Sequence, residues 1–256
     1  MSVDPRVEVL VDQECFLIHT ALTIPEQIEV FKDLLEHSKD VDNNGPKRPC
    51  MNPSPKTLLF DGHVPTLRFG RSRDNNDNED DDNLPVASVY DRLILRRAIS
   101  LITRRYCLDQ LPGGNDMIAP HIDKKNDIQP INFGYNRYSV GVIRYGAPNE
   151  TFPEHIDHCN DPNGWVILLS LGCTARFTIR GPNGKNTPKR CIDLESGDVL
   201  VFDPSSRAAI KHGVASILPS TCPEALVGAF GKDIMTNNRY GVQCRTSLQT
   251  NRIQHE

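Results

Sequence analysis

The tripeptide His-Ile-Asp occurs twice in this chain, at residues 121–123 and at residues 155–157. A histidine and a carboxylate two residues apart offer an imidazole nitrogen and an anionic oxygen. These are ligand types that hold a first-row divalent metal. In an extended strand, residues two apart project from one face. His155 and Asp157 can therefore aim at one point while Ile156 turns to the opposite layer. His121 and Asp123 sit in LPGGNDMIAPHIDKKNDIQP, where proline, glycine and polar residues read as loop. The second copy follows the strand-like VGVIRYG and leads into a dense run of strand patterns. It is the better metal pair. His158 would point to the other face.

After His155 and Asp157 the chain still offers His158, His212 and His255. His255 stands next to the last residue, where fraying is expected. His212, within AAIKHGV, ends a short apolar run and follows LESGDVLVFDP, a turn and a buried strand. His155, Asp157 and His212 are thus the candidate ligand set. Two neutral imidazoles and one carboxylate on one face of an octahedral Fe(II) leave positions for a bidentate 2-oxo acid and for O2. The far carboxylate of a dianionic 2-oxo acid needs a cation, for which arginine is suited. Arg239 and Arg245 lie six residues apart in NNRYGVQCRTSL and so face one side of a strand. Either could be an ordinary surface arginine. Two inward arginines would be costly to bury without an anion.

These residues need a rigid frame, and from Tyr138 onward the sequence supplies one. Short strand candidates are separated by Gly, Pro and Asn: YSVGVIRYG, TFPEHID, WVILLSLG, ARFTIRG, RCIDL, DVLVFD, AAIKHGV, EALVGAF and RYGVQCRTSL. WVILLSL is apolar throughout and suits a strand covered on both faces. Many short strands with turn signals indicate a sandwich or barrel. Upstream, Phe16–Ile24 reads as a strand, and residues 23–38 as a helix with a Thr23–Glu26 capping box. The helix places Ile28, Phe31, Leu34 and Leu35 on one face. Residues 39–56 read as loop, followed by short strands in TLLF and TLRFG. Residues 73–85 form an acidic surface loop. A second helix is predicted over residues 88–107. Its apolar positions are Leu93, Leu95, Ile99 and Ile102, and its charge comes from Arg92, Arg96, Arg97, Arg104 and Arg105. Those arginines read as a solvated helix face, with a phosphate-binding stripe as the competing reading.

Composition sets outer limits. The 256 residues suffice for one large domain, and 38% hydrophobic content supports a real core. A net charge of −4 excludes a wholly basic nucleic-acid coat but not a local patch. No apolar run is long enough to span a membrane, and the acidic start lacks the pattern of a signal peptide. Eight dispersed cysteines with no CxxC spacing argue against a zinc ribbon. The expected surroundings are reducing, cytoplasmic or nuclear.

The ordered set RYGAPNETFPEHID, LLSLGCTARFTI, LESGDVLVFDPSSRAAIKHGV and RYGVQCR resembles the AlkB family of Fe(II)/2-oxoglutarate dioxygenases over about residues 138–247. The resemblance implies a mostly β fold with flanking helices (α+β). Residues 138–256 would form a double-stranded β-helix core of jelly-roll type. Residues 1–137 would be an N-terminal α/β extension within one integrated domain. It implies Fe(II), 2-oxoglutarate and O2, with Tyr145, Arg239 and Arg245 contacting 2-oxoglutarate. The implied activity is oxidative demethylation of N-methylated bases in single-stranded or damaged DNA or RNA, by a monomer. The alternatives are hydroxylation of a protein or small molecule, and a non-catalytic binding scaffold. Departures from the family pattern fall in the cosubstrate pocket. Ile143 replaces the Asn expected two residues before Tyr145, although Asn136–Gly141 offers another N-x-Y match. Gly241 and Gln243 replace the Asn and Thr expected in the last motif.

Overall fold

The computed structural model describes residues 4–11, 14–38, 56–58, 89–109, 138–157, 159, 164–181, 188–206 and 208–247. The first His-Ile-Asp copy, His158, Asn136, TLRFG and the acidic run lie outside the described residues. So does most of the expected loop at 39–56.

The N-terminal half contributes β1 (Arg6–Val11), β2 (Cys15–His19), α1 (Ile24–Ser38), β3 (Lys56–Leu58) and α2 (Arg96–Asp109), the last entered through a π-helical stretch, Tyr90–Leu95. The rest contributes β4 (Tyr138–Gly146), β5 (Phe152–Ile156), β6 (Gly164–Gly172), β7 (Ala175–Arg180), β8 (Arg190–Leu194), β9 (Val199–Phe202) and β10 (Lys211–Ile217). Two short helices follow, α3 (Glu224–Phe230) and α4 (Lys232–Met235), and then β11 (Asn238–Ser247). Two antiparallel sheets face each other. The larger has the order β1-β2-β9-β6-β11-β4-β3, and the smaller has the order β5-β10-β7-β8. This is the double-stranded β-helix expected from the sequence, with few helices beside it.

Strand β6 shows how one sequence serves two layers. Trp165, Ile167, Leu169 and Leu171 join the core between the large sheet and the helices. Val166 and Leu168 face the other way, into the core between the sheets. A strand covered on both faces has no polar side to alternate, which explains the uniform WVILLSL. On α1 the carboxylate half of the capping box forms: the Thr23 amide donates to Glu26 Oε2 at 2.8 Å, and the Thr23 hydroxyl donates to the same oxygen at 2.8 Å. Val30, Phe31 and Leu34 are buried, and Phe31 packs edge-on against Phe230 and Tyr240, both at 4.7 Å between ring centres.

Several expectations shift. EALVGAF is a helix, α3, not a strand. A short apolar run fits either state, and here Pro223 precedes the first turn while Leu226, Val227 and Phe230 sit at helical spacing against the outer core. β1 was missing from the sequence reading, although RVEVLV alternates; it pairs with β2, which itself pairs with β9. AAIKHGV, read as a strand, enters β10 only at Lys211, so that His212 is its second residue. On the second helix, Arg92 pairs with Glu29, Arg96 Nε with Asp91 Oδ2 at 2.9 Å, and Arg97 Nη1 with Glu26 Oε1 at 2.6 Å. These three arginines are thus answered by carboxylates, as a solvated helix face requires. No helix among the described residues is long and apolar enough to cross a membrane.

Candidate metal and cosubstrate site

His212 on β10 stands directly opposite His155 on β5 in the antiparallel register. Asp157 follows β5 on the same side as His155. One candidate ligand atom from each of the three residues lies within 4.8 Å of the others. Gly213 permits this approach. A Cβ there would meet the Phe152 carbonyl oxygen at 2.7 Å and the Glu154 nitrogen at 2.9 Å, so any side chain would push the two strands apart.

Each imidazole is turned by its backbone. His155 Nδ1 lies 3.0 Å from the Pro153 carbonyl, and His212 Nδ1 lies 3.3 Å from the Ile210 carbonyl. A proton on Nδ1 donates to the carbonyl and leaves Nε2 with its lone pair for a metal. Burial pushes the His212 pKa down to about 4, against the pull of Asp157, so this ring is neutral at pH 7. Burial would raise the Asp157 carboxyl. In the metal-free protein a proton on His155 Nε2 as well lets that ring donate to Asp157, and this hydrogen bond and the charge of Arg245 outweigh burial, holding the group below its ordinary value. His155 Nε2 and Asp157 Oδ1 are 3.2 Å apart. Donors on adjacent corners of an octahedron with bonds of about 2.1 Å sit about 3 Å apart, so this pair fits one ion. The rings of Phe152, Phe177 and Phe202 surround the histidines, with centres 4.6–5.9 Å from His155 or His212.

The inward residues of β11 run from this cluster to the other end of the pocket. Arg245 Nη2 lies 3.2 Å from Asp157 Oδ2. Gln243 and Gly241 come next, and Arg239 lies beyond them. Arg239 is 1% exposed, and burial lowers its pKa from the ordinary value. A guanidinium starts so high that it stays charged. Its Nε donates to Ser170 Oγ at 3.2 Å, and its Cζ lies 5.2 Å from the ring centre of Tyr145, its cross-strand partner. Its Nη2 is buried without a hydrogen-bond partner among the described residues. A buried cationic donor left unanswered is costly unless an anion arrives. The pocket therefore fits an anion at its Arg239 end and a cation at its His-Asp-His end.

All six residues singled out in the sequence, His155, Asp157, His212, Tyr145, Arg239 and Arg245, line this one pocket. The two departures in the last motif differ in effect. Gln243 brings an amide to the lining. At Gly241 a Cβ would sit 2.9 Å from Arg239 Nη1 and 3.3 Å from Leu168 Cδ1, so the missing side chain makes room for the guanidinium. Ile143 stands across from Gly241 and gives that wall an apolar surface. Ser170 escaped the sequence reading, though it is the single hydroxyl within the apolar run of β6. The phenylalanine wall left no sequence signal, because its members come from β5, β7 and β9.

The profile of the 2OG-Fe(II) oxygenase superfamily matches residues 14–253. The chain is 31% identical over 98 residues to the N6-methyladenosine RNA demethylase ALKB1 of Pyricularia oryzae, covering 34% of this chain and 28% of that protein. It is 28% identical over 97 residues to the tRNA demethylase abh1 of Schizosaccharomyces pombe, covering 38% and 32%. It is 42% identical over 79 residues to an alpha-ketoglutarate-dependent dioxygenase AlkB homolog of Caulobacter vibrioides, covering 31% and 34%. The chain thus spans about a third of the length of these curated relatives. The solved structure of OsALKBH1 shares the fold, with a TM-score of 0.57 and 19% identity over 93% of this chain and 99% of that one.

Proposed function

Because the chain belongs to the 2OG-Fe(II) oxygenase superfamily and is AlkB-like, we propose that it is a dioxygenase that removes N-methyl groups from nucleobases in nucleic acid. One observation carries the chemistry: a His-Asp-His cluster and a buried arginine with an unanswered Nη2 face one pocket. His155, Asp157 and His212 would hold Fe(II). Arg239 would take the distal carboxylate of 2-oxoglutarate, with Tyr145 beneath the guanidinium and Arg245 near the metal end. When bound, Fe(II) supplies the centre at which 2-oxoglutarate and O2 yield succinate, CO2 and hydroxylation of a C–H bond. A hydroxylated N-methyl group then leaves as formaldehyde.

The protein's own groups do the positioning. The backbone carbonyls of Pro153 and Ile210 hold the imidazole tautomers. Ser170 fixes the Arg239 guanidinium through Nε and leaves its far edge for the carboxylate. The phenylalanines keep water from the inner wall. In this reading residues 138–256 carry the catalytic core of one integrated, monomeric domain, and residues 1–137 supply the substrate-facing extension. The setting is cytoplasmic or nuclear.

Incubation with Fe(II), 2-oxoglutarate and N-methylated DNA or RNA oligonucleotides tests the proposal. Formaldehyde and succinate should appear together, in equal amounts. Succinate formation with a peptide or metabolite, and none with any oligonucleotide, would instead favour the second reading, a protein or small-molecule hydroxylase. That reading draws on the net charge of −4 and on the pairing of Arg92, Arg96 and Arg97 with carboxylates.

A further inference from the structure

The outward face of the smaller sheet carries a row of cations at its metal end. Lys211 on β10 is registered against Ile156 on β5 and Arg180 on β7. Lys189 stands just before β8, and its Nζ lies 2.5 Å from Glu154 Oε1, while Arg180 Nε lies 3.7 Å from Glu154 Oε2. Neighbouring strand residues alternate faces. This row is therefore the outward neighbour of the row His155, His212 and Ile179, which faces the pocket and inner core. Glu154 is shared by Arg180 and Lys189, so two cations of the row meet one carboxylate, and Lys211 adds a third positive charge beside them. Lys211 is exposed, and no ion pair to it occurs among the described residues. Ile156, in the same row, is one of two large apolar side chains exposed among the described residues, at 39%.

We propose that this rim binds the phosphate backbone of single-stranded nucleic acid while one base enters the pocket. The inference rests on the demethylase reading and names the surface that serves it. The cations step from β10 to β7 to the start of β8 at about 5 Å per strand. A flexible polyanion can follow such an array, whereas a small anion meets one member. Ile156 offers an apolar contact for a sugar or base beside the phosphates. Because Arg92, Arg96 and Arg97 of the second helix are already paired, the sheet offers the freer contacts.

Fluorescence anisotropy with a labelled single-stranded oligonucleotide, repeated across salt concentrations, tests this surface. The variants are Lys189→Gln with Lys211→Gln, and Glu154→Gln alone. Each phosphate contact contributes about 0.7 to the slope of log affinity against log salt for single strands. The double variant should lose roughly 1.4 of that slope, and Glu154→Gln should bind more tightly at low salt. Mn(II) affinity and substrate-free 2-oxoglutarate turnover should not change, because these side chains lie on the other face. If the double variant keeps wild-type slope and affinity while oligonucleotides are still demethylated, the surface is wrong and the function stands. If the wild type binds an acidic peptide but no oligonucleotide at low salt, both the surface's partner and the demethylase reading fall.

Discussion

The two ends of the pocket satisfy their charges differently. At the metal end each charged group has an answer within the protein: Asp157 meets both His155 and Arg245 at 3.2 Å. At the other end Arg239 is fully enclosed and anchored at Nε, but Nη2 has no partner. The first arrangement is stable before a ligand arrives and exchanges protons for a metal when one does. The second carries a standing cost that only an anion removes. The contrast distinguishes two arginines that the sequence alone treats alike.

The largest expected effect is at the metal end. Asp157→Ala or His212→Ala should abolish Fe(II) binding, measured by metal content after desalting, since a three-ligand set has no spare member. His121→Ala should keep it. Loss of iron in the His121 variant with retention in the His155 variant would move the site to the other His-Ile-Asp copy.

Next comes Arg239→Met. Affinity for 2-oxoglutarate should fall roughly ten- to a hundredfold, from the loss of a charge-assisted contact of about 1.5–3 kcal/mol. Metal content and melting temperature should hold, because replacing a buried unanswered charge by an apolar chain is neutral or stabilising. A large fall in melting temperature would mark Arg239 as structural. Gly241→Asn restores the family's letter but should displace the guanidinium. Overpacking of this kind costs about 1–3 kcal/mol, so calorimetry should show roughly tenfold weaker 2-oxoglutarate binding. Unchanged or tighter binding would mean that the side chain finds room elsewhere. The smallest effect is a thermal shift. Mn(II) at about its Kd should add about 0.4 kcal/mol of stability to the wild type and nothing to Asp157→Ala.

Much of this frame is readable in the sequence because strands impose a period of two. That period places His155 with Asp157, and Arg239 with Arg245, on common faces. His155, Asp157, His212, Arg239 and Arg245 follow from it and from chain order, whereas Tyr145 comes only with the family resemblance. What the sequence hides depends on contacts between distant segments. The role of Gly241 requires knowing that Arg239 bends into its space, and the phenylalanine wall draws on three strands. EALVGAF misleads because a short, mostly apolar run of seven residues carries no decisive period, and packing of Phe230 against Phe31 decides it. Arg92, Arg96 and Arg97 look like part of a basic stripe until Glu26, Glu29 and Asp91 are placed beside them.

The most direct test of the two-ended pocket is calorimetric titration of 2-oxoglutarate into anaerobic Fe(II)-loaded protein, metal-free protein and Fe(II)-loaded Arg239→Met. The account predicts one tight site in the loaded wild type, with affinity reduced by removing either the metal or the guanidinium. Equal affinity in all three samples would contradict it.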